Sequence, residues 1–343
     1  MEGLSNPISY YAGLVRPELT GRPFTPAPSR LCWLALHAAL AAAATVAIVR
    51  GWGGWPIALL LALVIGNSFA VMAFVAHDTL HGSVVRQPLL RHCIGWLGFL
   101  PLTISPTHWV AWHNKAHHGH TMRAGADPDA FPTLEEYRSS SLIRFGDHLT
   151  PGASRLRGLI GLLIGFSAQS FSVLLGLARQ RGYLSRRAFA LAAAETLVGV
   201  AFWIAIGLVI GPWPFLFAFA IPLLLANAIG MAYIMSNHSL SPLTEINDPL
   251  RNSLSVTTPR FLEILHLGFG MHVEHHIFPS MSPRYAGQVR EVLKARFPDR
   301  YQSMPFGRAF LRVYRTAHVY KNPTTLIDPL SGREWSALNN SGR

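Results

Sequence analysis

The chain has 343 residues, of which 50% are apolar and only 13% charged, and its mean hydropathy is +0.28. That balance excludes a disordered chain and argues against an ordinary water-soluble enzyme, because the apolar residues gather in runs about as long as a bilayer is thick. The net charge of +12 is carried almost wholly by arginine, since only Lys115, Lys294 and Lys321 are lysines; it suits anionic headgroups or an acidic protein partner, and nucleic acid is not expected as a partner.

Residues 1–30 lack the basic start, short apolar core and small-residue cleavage site of a secretory signal, and read as a cytoplasmic, proline-containing lead-in. Four runs then qualify as membrane spans: Leu31 to Val49, Trp55 to Ala76, Ala188 to Gly211, and Trp213 to Ser236. Each is near or above the roughly 20 helical residues that cross about 30 Å of hydrocarbon. The links Arg50-Gly-Trp-Gly-Gly54 and Pro212 are short and poor in charge, which predicts two hairpins turning on the far side of the membrane. Basic residues gather on the near side: Arg16, Arg22 and Arg30 before the first run, and Arg179, Arg181, Arg186 and Arg187 before the third.

A fifth apolar run, Gly158 to Ala178, has arginines at both ends, with Arg155 and Arg157 before it, and is expected to be interfacial or re-entrant. Cys93 to Ile104 is too short to span and ends near Pro101, as a half-helix at the cytoplasmic interface would. From Asp127 to Pro151, and again from Leu240 onward, charge and proline rise. The predicted fold is an all-α integral membrane protein with four transmembrane helices in two hairpins, interfacial helices and a cytoplasmic helical cap. By position it divides into a lead-in (1–30), a membrane domain (31–283) and a C-terminal cap and tail (284–343).

Nine of the 16 histidines fall in four patches: His77 and His81; His113, His117 and His118; His238; and His272, His275 and His276. Patterns of the form H-x(2 or 3)-H-H are expected less than about a tenth of a time in such a chain, and here there are two. His77 and His81, four residues apart, project from one face if the second helix continues past Ala76. In the other two boxes a leading histidine and an adjacent pair can present nitrogens to different sides, which favours two metals. Eight or nine imidazoles exceed what one ion can use. Cys32 and Cys93 lie outside any C-x-x-C pattern, so the donors are nitrogen or oxygen. Imidazole accepts iron, zinc, copper and nickel alike.

Three boxes in this order, alternating with two hydrophobic hairpins, resemble the membrane-bound fatty acid desaturase family. The resemblance covers about Phe74 to Pro283 and lies in His77-Asp-Thr-Leu-His81-Gly, Trp112-His113-Asn-Lys-Ala-His117-His118, and Met271-His272-Val-Glu-His275-His276-Ile-Phe-Pro279. It implies a non-haem di-iron centre that uses O2 as co-substrate and removes two hydrogens from the acyl chain of a lipid or thioester. Electrons would come from a separate ferredoxin-like or cytochrome-type donor with its reductase. The implied catalytic metal ligands are His77, His81, His113, His117, His118, His272, His275 and His276, with His238 matching the extra histidine near the last span. Asn237 could contribute through a water. A hydroxylase or ketolase of the same superfamily, acting on a fatty acid, a carotenoid or another long apolar substrate, shares these boxes and is the alternative. A redox metal suits the chemistry, because breaking an alkyl C–H bond needs a strong oxidant kept from water. A metal transporter fits less well, because the histidines sit at span ends and not along a midplane path. The composition and the basic residues predict a multi-pass protein of a bacterial inner membrane, with the boxes facing the cytoplasm.

Other residues carry weaker expectations. Asp78 and Glu274 are candidates to hold ligating imidazoles, and His120 and His266 to stand behind the ligands. His37 is expected at a helix contact, and His92, His108, His148 and His318 on surfaces or loops. Glu195, costly in lipid, is a functional candidate or, by preference, a partner of Arg181, Arg186 or Arg187. Trp112 is expected to line or shield the site or, equally, to be aromatic core. Met281 to Phe297 reads as an amphipathic helix whose basic face includes Arg284, Arg290, Lys294 and Arg296, facing an acidic carrier or headgroups.

Overall fold

The computed structural model describes residues 5–177 and 183–338, so Ala178, Arg179 and Arg181 of the expectations above lie outside the described residues. In chain order the principal helices are α1 (Ile8–Val15), α2 (Leu31–Val49), α3 (Gly54–Leu80), α4 (Pro88–Phe99), α5 (Pro106–Trp109), α6 (Arg155–Leu177), α7 (Arg186–Ile210), α8 (Ile221–His238), α9 (Arg260–Leu265), α10 (His272–Ile277), α11 (Ala286–Arg296) and α12 (Phe306–Arg315). Five stretches are long and apolar enough to cross a membrane: Pro28–Val49, Gly54–Leu80, Leu156–Gly176, Arg186–Ile210 and Pro212–His238. The four predicted spans are therefore helical, and the Gly158 run is a helix that meets the same criterion.

The chain forms two compact units. One holds residues 26–112 and 163–231. Its core is α3, whose most apolar window is 61% buried against 11% for α7. The turn between α2 and α3 places Gly51, Gly53 and Gly54 at positive φ, a region that costs a side chain about 1 to 2 kcal/mol. His37 Nδ1 lies 3.0 Å from Ser68 Oγ across these helices, the helix contact expected of it. α4 begins at Pro88, five residues before the predicted half-helix, with the Gln87 side chain accepting the Leu90 N–H as its cap. It packs on α3 through Gly98, where a Cβ would stand 2.6 Å from the Met72 carbonyl oxygen.

Glu195 of α7 is not paired with arginine among the described residues. Its carboxylate accepts Ser105 Oγ–H (2.5 Å) and Thr107 Oγ1–H (3.1 Å), and His92 Nε2 lies 2.7 Å away. A carboxylate that leaves water needs donors at hydrogen-bond range, and the start of α5 supplies them more directly than Arg187 and Arg186, eight and nine residues back, could.

The other unit holds residues 5–25, 113–162 and 232–338. α1, α10 and α11 share a core of Tyr11, Val15, Val273, Ile277, Val289 and Leu293. Predicted all-helical, this unit also contains short strands: β1 (Ser255–Thr257) runs parallel to β2 (Ser303–Pro305), and β3 (Val319–Asn322), β4 (Thr325–Ile327) and β5 (Glu334–Ser336) form an antiparallel sheet. Strands of three or four residues are too short to leave a readable alternation. His318 is 1% exposed, not a surface residue, and its ring stacks on Phe131 at 4.5 Å. His108, in the first unit described, is likewise 1% exposed, with Nε2 donating to the Ser170 carbonyl (3.0 Å).

Candidate metal centre

Seven of the nine singled-out histidines lie in the unit built on α10, and local backbone geometry decides where each points. The second box sits on a π-helical turn, Val110–His117. Its i to i+5 hydrogen bonding brings residues five apart onto one side, which an α-helix does not do. His113 Nε2 accordingly reaches within 3.2 Å of His118 Nε2.

The third box is the short helix α10. His272 and His276, one turn apart, point together with Nε2 atoms 3.1 Å apart, while His275 turns aside to bring its Nε2 within 3.2 Å of His118 Nε2. Met271 gives this helix no side-chain cap. Instead Ser255 Oγ on β1 accepts the N–H groups of His272 (3.1 Å) and Val273 (3.0 Å), which satisfies two of the four donors a helix start leaves open.

His238, the last residue of α8, completes the first convergence, its Nε2 lying 2.6 Å from His272 Nε2. One donor atom each from His117, His238, His272 and His276, all four buried, lie within 4.8 Å of one another. His113, His117 and Asp129 form a second, overlapping group. In the other unit, His77 lies in the last turn of α3 and His81 is its C-cap, with ring centroids 4.8 Å apart, each edge-on to Trp109 at 5.3 Å. The helix does continue past Ala76, and both rings share a face.

For three of the four convergent histidines the other ring nitrogen is engaged. His117 Nδ1 donates to Asp127 Oδ1 (3.0 Å) and faces Asp129 Oδ2 (3.4 Å). His238 Nδ1 donates to the Asn252 carbonyl (3.0 Å), and His276 Nδ1 faces Thr121 Oγ1 (3.4 Å). These partners fix the tautomer and aim each Nε2 lone pair inward, the arrangement metal-binding histidines adopt. Burial, then neighbouring imidazoles, push His272 and His276 well below the usual histidine value. His117 goes the other way: burial opposes its charge, but Asp127 and Asp129 hold it up to about 9. The Nε2 atoms of His238, His272 and His276, facing one another at hydrogen-bond distance, with His117 and its two carboxylates beside them, form a nitrogen-rich cavity electrostatically matched to a cation. Cys32 and Cys93 are free and exposed, so sulfur takes no part.

Glu274, inside the third box, is fully buried and serves as a structural anchor. It accepts Ser255 Oγ–H (2.5 Å), Tyr301 O–H (2.5 Å) and Arg290 Nε–H (3.0 Å). Arg290 was expected on a solvated basic face; it turns inward, and the Glu274 charge outweighs burial and holds its pKa high. Asp78 pairs with Arg30 (3.3 Å) and lies 3.2 Å from His77 Nδ1. His266 faces the Tyr233 hydroxyl (3.0 Å), and neither it nor His120 enters a donor group among the described residues. Trp112 is 2% exposed and stacked on His108, a core residue of its own unit. Asp127, Asp129 and Asn252 are the residues that sequence reasoning missed. Asp127 and Asp129 follow the second box by nine and eleven residues, in a proline-containing loop with no periodicity to read.

A curated relative, an sn-1 acyl-lipid omega-3 desaturase (ferredoxin) of Synechocystis sp., is 25% identical over 317 aligned residues, covering 81% of this chain and 79% of that protein. The family described as Fatty acid desaturase matches residues 50–308, a stretch that contains all nine histidines. With that match spanning most of its length, the chain belongs to the fatty acid desaturase family.

Proposed function

We propose that this protein is an O2-dependent, membrane-bound di-iron desaturase that introduces a double bond into a long acyl chain. The observation that carries the proposal is the buried convergence of His117, His238, His272 and His276 on one point, inside the region matched by the family. His77, His81, His113, His118 and His275 complete the proposed ligands of two irons. The reaction balances as –CH2–CH2– plus O2, two electrons and two protons, giving –CH=CH– and two waters. Bound iron would supply the oxidising power for C–H cleavage from O2 and delivered electrons.

The chain's own residues orient and shield. Asp127 and the Asn252 carbonyl hold Nδ1 protons on His117 and His238, keeping each Nε2 free to ligate. Burial of His117, His238, His272 and His276 excludes water that would quench a reactive oxidant. The acyl-lipid relative supports a lipid acyl substrate, and the ferredoxin in its name supports a ferredoxin-type donor with its reductase.

The rings of His117 and His238 lie 4.8 Å apart, and α6, α7 and α8 separate them in sequence. Three full crossings would leave them on opposite faces, so an even number is required. This supports a four-span topology in which α6, flanked by arginines, is re-entrant or interfacial. The arginines preceding α2 and α7 support a cytoplasmic face for the boxes, and the arginine-rich, lysine-poor composition is compatible with a bacterial inner membrane.

The test supplies purified protein in lipid nanodiscs with O2 and a reduced ferredoxin, then analyses the released acyl chains by mass spectrometry. Acyl products lacking two hydrogens, absent with His238→Ala, are expected. A hydroxylated acyl product in place of an unsaturated one overturns desaturation in favour of hydroxylation.

A further inference from the structure

Helices α9 and α12 belong to the same unit as the third box, and both pack on Tyr233. The Tyr233 ring stacks on Phe306, the first residue of α12, with centroids 4.8 Å apart at 22°. Its hydroxyl lies 3.0 Å from Nδ1 of His266, the C-cap that follows α9. Tyr233 lies in α8, five residues from the end of the apolar Pro212–His238 stretch, or roughly 8 Å along the helix axis. The two short helices therefore sit level with the last turns of a helix long and apolar enough to cross a membrane.

What they present outward is unusual for a water-facing surface. On α9, Phe261 is 67% and Ile264 is 52% exposed, three residues apart on one face. On α12, Leu311 is 47% exposed, beside the half-buried ladder of Phe306, Phe310 and Tyr314 at i, i+4 and i+8. Arg260, Arg308, Arg312 and Arg315 are exposed around them, and the two helices carry a single acid, the half-buried Glu263. Going round α12, the order is buried Ala309 and Val313, then aromatics, then Leu311, then the arginines. That sequence of faces is the one taken by helices lying in the headgroup layer, with apolar side chains dipping into the acyl boundary and arginines meeting phosphates. An acidic electron carrier would meet the arginines, but it gives no account of bare Phe261 and Ile264 at the depth of a membrane helix.

We infer that α9 and α12 form a lipid-surface anchor whose occupant is the anionic headgroup layer, clamping the third-box unit to the membrane. This rests on reading α8 as a membrane helix. The full-length protein, with Cys32 and Cys93 replaced by serine, is placed in nanodiscs containing phosphatidylglycerol. It carries one nitroxide-labelled cysteine at Phe261, Leu311 or, as a reference inside α8, Leu224. Collision with O2, which concentrates in lipid, is compared with collision with a water-soluble nickel chelate. The labels at positions 261 and 311 should favour O2, and changing Arg308, Arg312 and Arg315 together to glutamine should raise their nickel accessibility several-fold. Nickel-dominated labels at 261 and 311 with an O2-dominated label at 224 overturn the anchor while leaving the span intact. A nickel-dominated label at 224 removes the span and the anchor with it. Shielding at 261 and 311 that arises only when reduced ferredoxin is added assigns the surface to a protein partner and overturns the anchor.

Discussion

Replacing Asp127 by asparagine tests whether the buried carboxylate beside His117 holds the proposed metal site in register. Asp127 is 5% exposed, and Oδ1 accepts from His117 Nδ1 (3.0 Å) and the Asp129 N–H (2.9 Å), while Oδ2 accepts the Met122 N–H (2.7 Å). All three partners are donors, so an asparagine amide must turn its own NH2 toward one of them whichever way it is placed. Met122 sits at φ 59, a left-handed conformation that costs about 1 to 2 kcal/mol and is held by this bond and by Thr244 N–H to the Met122 carbonyl (2.9 Å). Losing one charge-assisted bond and burying one unmet donor should cost about 2 to 3 kcal/mol of stability. The carboxylate charge that raises His117 attracts a divalent ion more strongly than a proton, so iron affinity should also fall, by about 10- to 100-fold. Chelator competition on the iron-loaded protein reads the second effect, and thermal unfolding in detergent reads the first. Iron affinity within about threefold of the parent would refute an orienting role for Asp127.

Three further substitutions probe other links. Arg290→Met leaves Glu274 buried without its cation beneath the third box and should destabilise the protein by about 3 to 5 kcal/mol, read as a lowered unfolding midpoint. Gly98→Ala drives a methyl toward the Met72 carbonyl and should cost about 1 to 3 kcal/mol, checked by the midpoint of thermal aggregation in detergent. His318 is held neutral by burial, its pKa lowered to about 3. Its contribution is fully present above the unfolded value of 6.5 and is lost as pH falls from there toward 3, at about 1.4 kcal/mol per unit. His318→Phe should therefore lose about 2 kcal/mol less than the parent between pH 6.5 and 5, as measured by denaturant unfolding at each pH.

The long helices were legible because length and hydropathy dominate them: α2 keeps the bounds read from sequence, and α8 ends two residues beyond its predicted limit, at His238. The boxes were legible because spacing at one helical turn is local information, as in His272 and His276. What lay outside the sequence was tertiary. The π-helical turn that aligns His113 with His118 has no spacing signature, and Ser255 caps α10 from 17 residues away. Glu195 was expected to find arginines nearby in sequence, but a fold that brings Ser105, Thr107 and His92 to it answered the same electrostatic demand differently. His108 and His318 were expected at surfaces because isolated histidines in polar segments carry no mark of burial.

The most direct measurement of the central claim is the metal content of the purified protein, by elemental mass spectrometry with iron supplied during expression. Two irons per chain are expected, with a clear loss in His117→Ala and in His77→Ala and none in His318→Phe. Zinc in place of iron, or iron unchanged by substitution of the box histidines, would contradict that claim.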